Sequence, residues 1–260
     1  MRFASLGSGS RGNALIVDAG DTRLLLDCGF SVRSAVSRLA RLSIPPETIS
    51  AILVTHEHSD HIAGAFRFSA RFGIPVYLTH GTLTAYSGMK MEADCRLIDS
   101  HASFPVGSVE VFPFPVPHDA REPVQFVFSD GAYRLGVLTD CGIITPHVLG
   151  MLNTCHALVL ECNHDTDLLA ASAYPAMLKR RIAGDFGHLA NAQAASLLEQ
   201  INTSQLRHLV AAHLSDSNNR PDLARLALSR VLGCTEDWIG VALQDDGLDW
   251  RDLASVSGSA

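Results

Sequence analysis

The sequence predicts an α/β protein, and two patterns carry that expectation. In the N-terminal part, short apolar runs alternate with helical stretches that carry apolar residues on one face. From residue 108 onward, strand-like runs follow one another around hairpin turns. Composition agrees with a folded chain: 47% of the 260 residues are apolar, ample for a sizeable core, and only 18% are charged. That length suits one large α/β domain or two small ones.

A first strand is expected over residues 2–6, followed by the loop Gly7-Ser8-Gly9-Ser10-Arg11-Gly12-Asn13, whose small residues allow close backbone approach to a ligand. Strands at 14–18 and 22–27 flank the turn Ala19-Gly20-Asp21. Ser31 is placed to cap a helix over 32–42, which stops before Pro45-Pro46. The apolar run 51–54 reads as a buried strand, and a helix from Ile62 to about Phe72 ends at Gly73, ahead of a strand at 75–78. Further strands are expected at 109–114, 124–129, 133–138, 157–160, 207–212 and 238–243. Asn191 is a candidate cap for a helix over 192–201, and Pro221 opens a helix reaching about Leu232.

Between the strand at 51–54 and the following helix lies Thr55-His56-Glu57-His58-Ser59-Asp60-His61. Neutral imidazole nitrogens and carboxylate oxygens are good ligands for zinc and similar ions. Residues 56 and 58 can project together, whereas Asp60 and His61 lie round the turn. One ion does not comfortably take all four, so the spacing points to two adjacent ions. His80 and His101 stand outside any ligand pattern.

The formal net charge of −7 supplies no global basic field to draw in nucleic acid, so any such binding needs a local patch. Arg33, Arg38 and Arg41, and Arg67 and Arg71, read as solvated helix faces; Lys179, Arg180 and Arg181 form a third basic cluster. The six cysteines show no CxxC spacing, the N-terminal stretch lacks the apolar core of a signal peptide, and no run is long enough to span a bilayer. A soluble, reducing, cytoplasmic setting is expected, with no membrane partner.

The HxHxDH run closely resembles the signature of the metallo-β-lactamase-fold hydrolases. Other residues fall in the order of that family's motifs, Asp27 before this run and His118, Asp140 and His213 after it, each just after a strand. The stretches LGSGSRGNA, ECNHD, GHLAN and HLSDSNN are similar to those of YycJ/WalJ-type bacterial proteins, and Gly187-His188 resembles the phosphate-contacting position of RNase Z-type enzymes. The resemblance implies an αββα sandwich of two mixed sheets, with residues 1–250 as one domain and 251–260 as a frayed tail. It implies one divalent ion, zinc or manganese, on His56, His58 and His118, and a second on Asp60, His61 and His213. Asp140 bridges them, and a shared hydroxide is the nucleophile. Asp60, Asp140 and His188 take catalytic roles in this scheme, His188 by protonating the leaving oxygen or hydrogen-bonding phosphate. Asp27, Ser8, Asn13, Asn163, His164, Asn191 and Asn218 are candidates for supporting the metals or touching substrate.

By the same resemblance the expected function is a phosphodiesterase acting on nucleic acid, DNA ahead of RNA, as an exonuclease. Two departures mark this chain as a minimal catalytic domain. The short His118–Asp140 interval leaves no room for the tRNA-gripping arm of RNase Z, and the Asp140–His188 interval none for a β-CASP domain. A hydrolase of small esters, lactones or thioesters is the competing enzyme class, which the acidic charge favours. A metal-binding scaffold without catalysis is the competing non-enzyme class. The oligomeric state, a homodimer included, is left open by the sequence.

Overall fold

Two seven-stranded sheets lie face to face in the computed structural model, which describes residues 1–86 and 93–255. The first sheet begins with β1 (Arg2–Gly7), β2 (Ala14–Ala19), β3 (Thr22–Leu26), β4 (Ala51–Leu53), β5 (Val76–Thr79) and β6 (Cys95–Ile98). The second is formed by β7 (Phe104–Val106), β8 (Val109–Pro115), β9 (Val124–Ser129), β10 (Arg134–Leu138), β11 (Ala157–Glu161), β12 (His208–Ala212) and β13 (Gly240–Val241). The last strand, β14 (Leu248–Asp252), returns to the first sheet and pairs antiparallel with β1. Both sheets are mixed: hairpins β1–β2–β3 and β7–β8–β9–β10 are antiparallel, while β3–β4–β5–β6 and β10–β11–β12–β13 run parallel.

The helices are α1 (Val32–Arg41), α2 (Ser59–Ile62), α3 (Ala65–Phe72), α4 (His80–Ala85), α5 (Pro146–Leu152), α6 (Thr166–Ala171), α7 (Ala176–Ile182), α8 (Asn191–Gln200) and α9 (Pro221–Leu232). Strand alternation sorts the apolar side chains into three buried layers. On β2, Leu15 and Val17 face the central layer with Phe126, Phe128 and Val159 of the other sheet. Ala14 and Ile16 point outward, to the layer containing Leu39 of α1 and Phe68 of α3. On β11, Ala157 and Val159 enter the central layer, whereas Leu158 and Leu160 pack with Leu197 of α8 and Leu228 of α9. Three apolar layers between four layers of secondary structure constitute an αββα sandwich, as expected. Strands buried on both faces read as continuous apolar runs, which is why 51–54 and 157–160 were conspicuous in the sequence.

Several boundaries differ from expectation. The single helix from Ile62 is two: α2 starts at Ser59, so Asp60 and His61 sit inside it, and Gly64 separates it from α3. Gly64 N donates to Cys28 O at 2.8 Å, and a Cβ there would meet Phe30 O at 1.8 Å. Residues 251 and 252, assigned to a tail, pair in β14, and Leu253 is fully buried; residues 256–260 lie outside the described residues. Arg38 and Arg41 are more than a solvated face, since they donate to the carbonyls of Leu6 and Ser5 and pin α1 to β1.

Gly29 brings two site-bearing loops together, because a Cβ there would lie 1.8 Å from the Asp60 carbonyl oxygen. Gly29→Ala is therefore expected to destabilise by about 1–3 kcal/mol, lowering the melting midpoint by roughly 2–12 °C. A thermal melt matching the wild type would show that the two loops separate at no cost.

Candidate metal centre and active site

Strand β4 delivers Thr55 and His56 to the rim between the sheets, and the loop beyond places His58 at the start of α2. His118 arrives from the loop after β8. The rings of His56 and His58 lie 4.6 Å apart edge to face, and those of His56 and His118 4.9 Å apart. Each of these histidines offers a nitrogen within 4.8 Å of the others. Neighbours select the nitrogen available to an ion. Thr55 Oγ1 contacts His56 Nδ1 at 2.9 Å, and His118 Nδ1 lies 3.1 Å from the Gly187 carbonyl, which leaves both Nε2 atoms inward. His56 Nε2 is buried without a hydrogen-bond partner. Burial pulls His56 well below the ordinary imidazole range and His118 below it as well, so both offer lone pairs rather than protons.

The second cluster is built from α2 and the end of β12. Asp60 Oδ2 lies 3.4 Å from both His61 Nε2 and His213 Nε2. Asp140, just beyond β10, stands between the clusters: its Oδ2 is 3.1 Å from His61 Nε2, and its Oδ1 is 3.7 Å from both His118 Nε2 and His213 Nε2. Behind them, Asp27 Oδ2 accepts from His61 Nδ1 at 2.8 Å, while Thr55 N and Oγ1 donate to the same carboxylate. Asn13 Nδ2 lies 3.2 Å from His61 Nε2, and Ser8 Oγ accepts from His213 N and donates to Asn13 Oδ1. Burial opposes charge on His213, yet Asp140 and hydrogen bonds to Asp60 and Glu161 lift it to about 10. Burial likewise works against the Asp60 carboxylate, but hydrogen bonds from His213 and His61 hold it far below its usual range. A field that holds protons on these rings equally favours a divalent cation. The donor set and the orphaned His56 nitrogen therefore fit a pair of ions.

Asp27, Asp140 and His213 share a backbone feature, φ of 59°, 51° and 54°, each within two residues of a strand end. Left-handed backbone is uncommon outside glycine and often marks a functional position. At the other side of the centre, Glu161 closes the fully buried β11. Its Oε1 accepts from Asp140 N, His188 Nδ1 and His213 Nδ1 at 3.1, 2.9 and 3.1 Å, and its Oε2 from Cys141 N and Leu189 N. Although burial opposes its charge, attraction to His188 and these hydrogen bonds hold the Glu161 carboxyl down to about 2. Because Nδ1 of His188 is occupied, Nε2 is the atom left for the cleft, a 390 Å³ space that also reaches His58, Asp60, Asp140 and His213.

The β-lactamase superfamily domain model matches residues 22–213. The chain belongs to the β-lactamase superfamily. It is a metal-dependent hydrolase. Within the superfamily it is 36% identical to exodeoxyribonuclease YycJ of Bacillus anthracis, over 89% of each chain. It is 30% identical to exodeoxyribonuclease WalJ of Streptococcus pneumoniae, covering 92% of this chain and 91% of that one. Its fold is similar to that of the metallo-β-lactamase fold protein YhfI from Bacillus subtilis, at a TM-score of 0.74 and 16% identity, covering 96% and 99% of the two chains.

Not every residue singled out from the sequence reaches the centre of this superfamily member. Asn163 does, donating to the His213 carbonyl at 3.1 Å and lining the cleft. His164 is buried, its Nδ1 lacks a partner, and its backbone bridges to Ala190. Asn191 is not the cap of α8: Ala190 holds that position, its N–H bonded to the Gln193 side chain. The Asn191 amide pairs with Asn219, and Asn218 turns to Ser215, so both brace the loop after His213 instead. Glu161 was missed. Its signal was a carboxylate ending an otherwise apolar strand, where charge is buried only when partners satisfy it.

Proposed function

We propose that this hydrolase is a two-metal phosphodiesterase that removes nucleotides from DNA ends. The observation that carries the reading is His188, whose Nδ1 is held by Glu161 and lies 3.6 Å from Asp140 Oδ1, with Nε2 left to the cleft. Burial works against its charge, but Glu161 and Asp140 raise its pKa, the direction that suits an acid for an alkoxide leaving group. A phosphodiester needs such an acid more than an activated ester does. The names of the relatives YycJ and WalJ supply DNA and end-directed cleavage as the specific form.

In this scheme His56, His58 and His118 would hold one ion and Asp60, His61 and His213 the other, with Asp140 placed between the two clusters. Bound there, zinc or manganese would supply Lewis acidity towards the phosphoryl oxygens and an acidified water as nucleophile. Asp27 keeps His61 oriented through Nδ1, and Gly187 O does the same for His118. Glu161 fixes His213 and His188 together, so ligand and acid keep a set separation.

The test is cleavage of end-labelled duplex DNA, single-stranded DNA and RNA by the purified chain, with zinc and with manganese. Progressive loss of the DNA label from an end is expected. Inertness toward all nucleic acids, with turnover of a lactone or thioester, would instead select the small-ester reading that the −7 net charge favours. Metal analysis is expected to find about two ions per chain, falling to about one in Asp60→Ala/His61→Ala. Unchanged occupancy in that variant would remove the second cluster as a metal site.

A further inference from the structure

One wall of the cleft is unexplained by the metal chemistry. Tyr174, Leu178, Arg181 and Ile182 line it, all from α7 or the residues just before. Helix α7 has no buried residue, so packing against the core does not account for its position. It is nonetheless tied to the centre at two points. His188 N donates to Ile182 O at 2.8 Å, and Arg181 Nε donates to Asp119 Oδ2 at 2.6 Å. Asp119 in turn lies 3.5 Å from His118 Nε2. Among the described residues, the Arg181 Nη1 and Nη2 groups and the Tyr174 hydroxyl have no partner, and the Tyr174 ring is only half-buried. Lys179-Arg180-Arg181 is also the one run of three consecutive basic residues in a chain of net charge −7. An aromatic face beside a free guanidinium edge is the pairing by which proteins hold single-stranded nucleic acid: the ring stacks a base and the cation takes a phosphate.

We propose that the 174–182 segment is the nucleotide subsite of the cleft, with Tyr174 stacking the terminal base of a single strand and Arg181 binding the phosphate adjacent to the scissile one. The proposal rests on the DNA-end reading above and gives it a structural selector. At 390 Å³ the cleft lies within the roughly 300–1,000 Å³ usual for small-ligand sites, a size that suits one terminal nucleotide.

The experiment compares kcat/KM on two single-stranded oligonucleotides that differ only in whether the terminal residue at the cleaved end carries a base or is abasic. The wild type is expected to favour the base-bearing end by about 5–150-fold, the range that stacking of one base supplies. Tyr174→Ala is expected to bring that ratio close to one, and Tyr174→Phe to retain it. Arg181→Gln is expected to raise KM for both substrates and to reduce the slope of log affinity against log salt by about 0.7, one phosphate contact. Metal content and melting midpoint, measured on each variant, check that the site itself is intact. If the wild type degrades both strands but Tyr174→Ala leaves the ratio unaltered, the subsite is overturned while the nuclease function stands. If the wild type degrades no nucleic acid, the function fails and the subsite with it.

Discussion

Replacing His188 by alanine is expected to slow DNA cleavage about 10²–10⁴-fold while both ions remain bound, the scale of a lost general acid. His188 and His213 are neighbours, their rings stacked at 5.3 Å, and Glu161 Oε1 accepts from Nδ1 of each. Their second nitrogens differ. Nε2 of His213 lies 3.4 Å from Asp60 and 3.7 Å from Asp140, inside a cage of donors, whereas no hydrogen bond of the described residues uses Nε2 of His188. Replacement of His213 should therefore lower metal content and activity together, and replacement of His188 activity alone. Metal analysis beside single-turnover cleavage separates the two. Loss of an ion from His188→Ala, with full occupancy in a His213 variant, would reverse the assignment.

Glu161→Gln carries the second large effect, because one buried carboxylate serves both histidines and three backbone amides. Glutamine keeps one oxygen but turns an NH₂ group towards N–H donors. Breaking a buried charged network of this kind costs roughly 3–5 kcal/mol, or about 6–20 °C in melting midpoint. Metal affinity is expected to fall about 10–100-fold through loss of the support to His213. The pH profile gives a more specific signature. Glu161 raises the pKa of His188, so removing its charge lowers that pKa, and the alkaline limb of cleavage moves to lower pH. Unchanged melting, metal affinity and alkaline limb in the Glu161→Gln variant would reduce Glu161 to a bystander.

The parts legible in the sequence were those where an apolar strand ends abruptly in a ligand-type residue. His56, His118, Asp140 and His213 all follow that rule, and the structure brings them together with His58, Asp60 and His61. Glu161 follows it too, but Asn163 and His164 lie just beyond it, and sequence alone does not say which polar group in such a run turns back into the protein. Asn191 was misread because cap propensity is local, whereas its amide is claimed by Asn219 from a distant loop. The unforeseen strands β6, β7 and β14 are all sheet edges, where exposure blurs the apolar alternation: Cys95–Ile98 is nowhere fully buried, Phe104–Val106 has only three residues, and Leu248–Asp252 carries three charged residues. Helices α5, α6 and α7 have only six or seven residues, too few for a helical period to emerge.

The positive φ at Asp27, Asp140 and His213 has a bearing on how the rim can be engineered. A strand offers alternate side chains to its two faces, and in this sandwich both faces are packed with hydrocarbon. A functional group continuing that alternation would be drawn into one of the oily layers. Inverting the local handedness breaks the phase at the last moment, so the side chain leaves the sheet and joins the rim. Each such corner is thus selected twice, by chemistry and by backbone. Valine, isoleucine or threonine there would oppose the turn itself, whereas asparagine tolerates it. Asp140→Asn and His213→Asn therefore remove the carboxylate and the imidazole while preserving the corner, and are expected to fold more stably than the alanine variants.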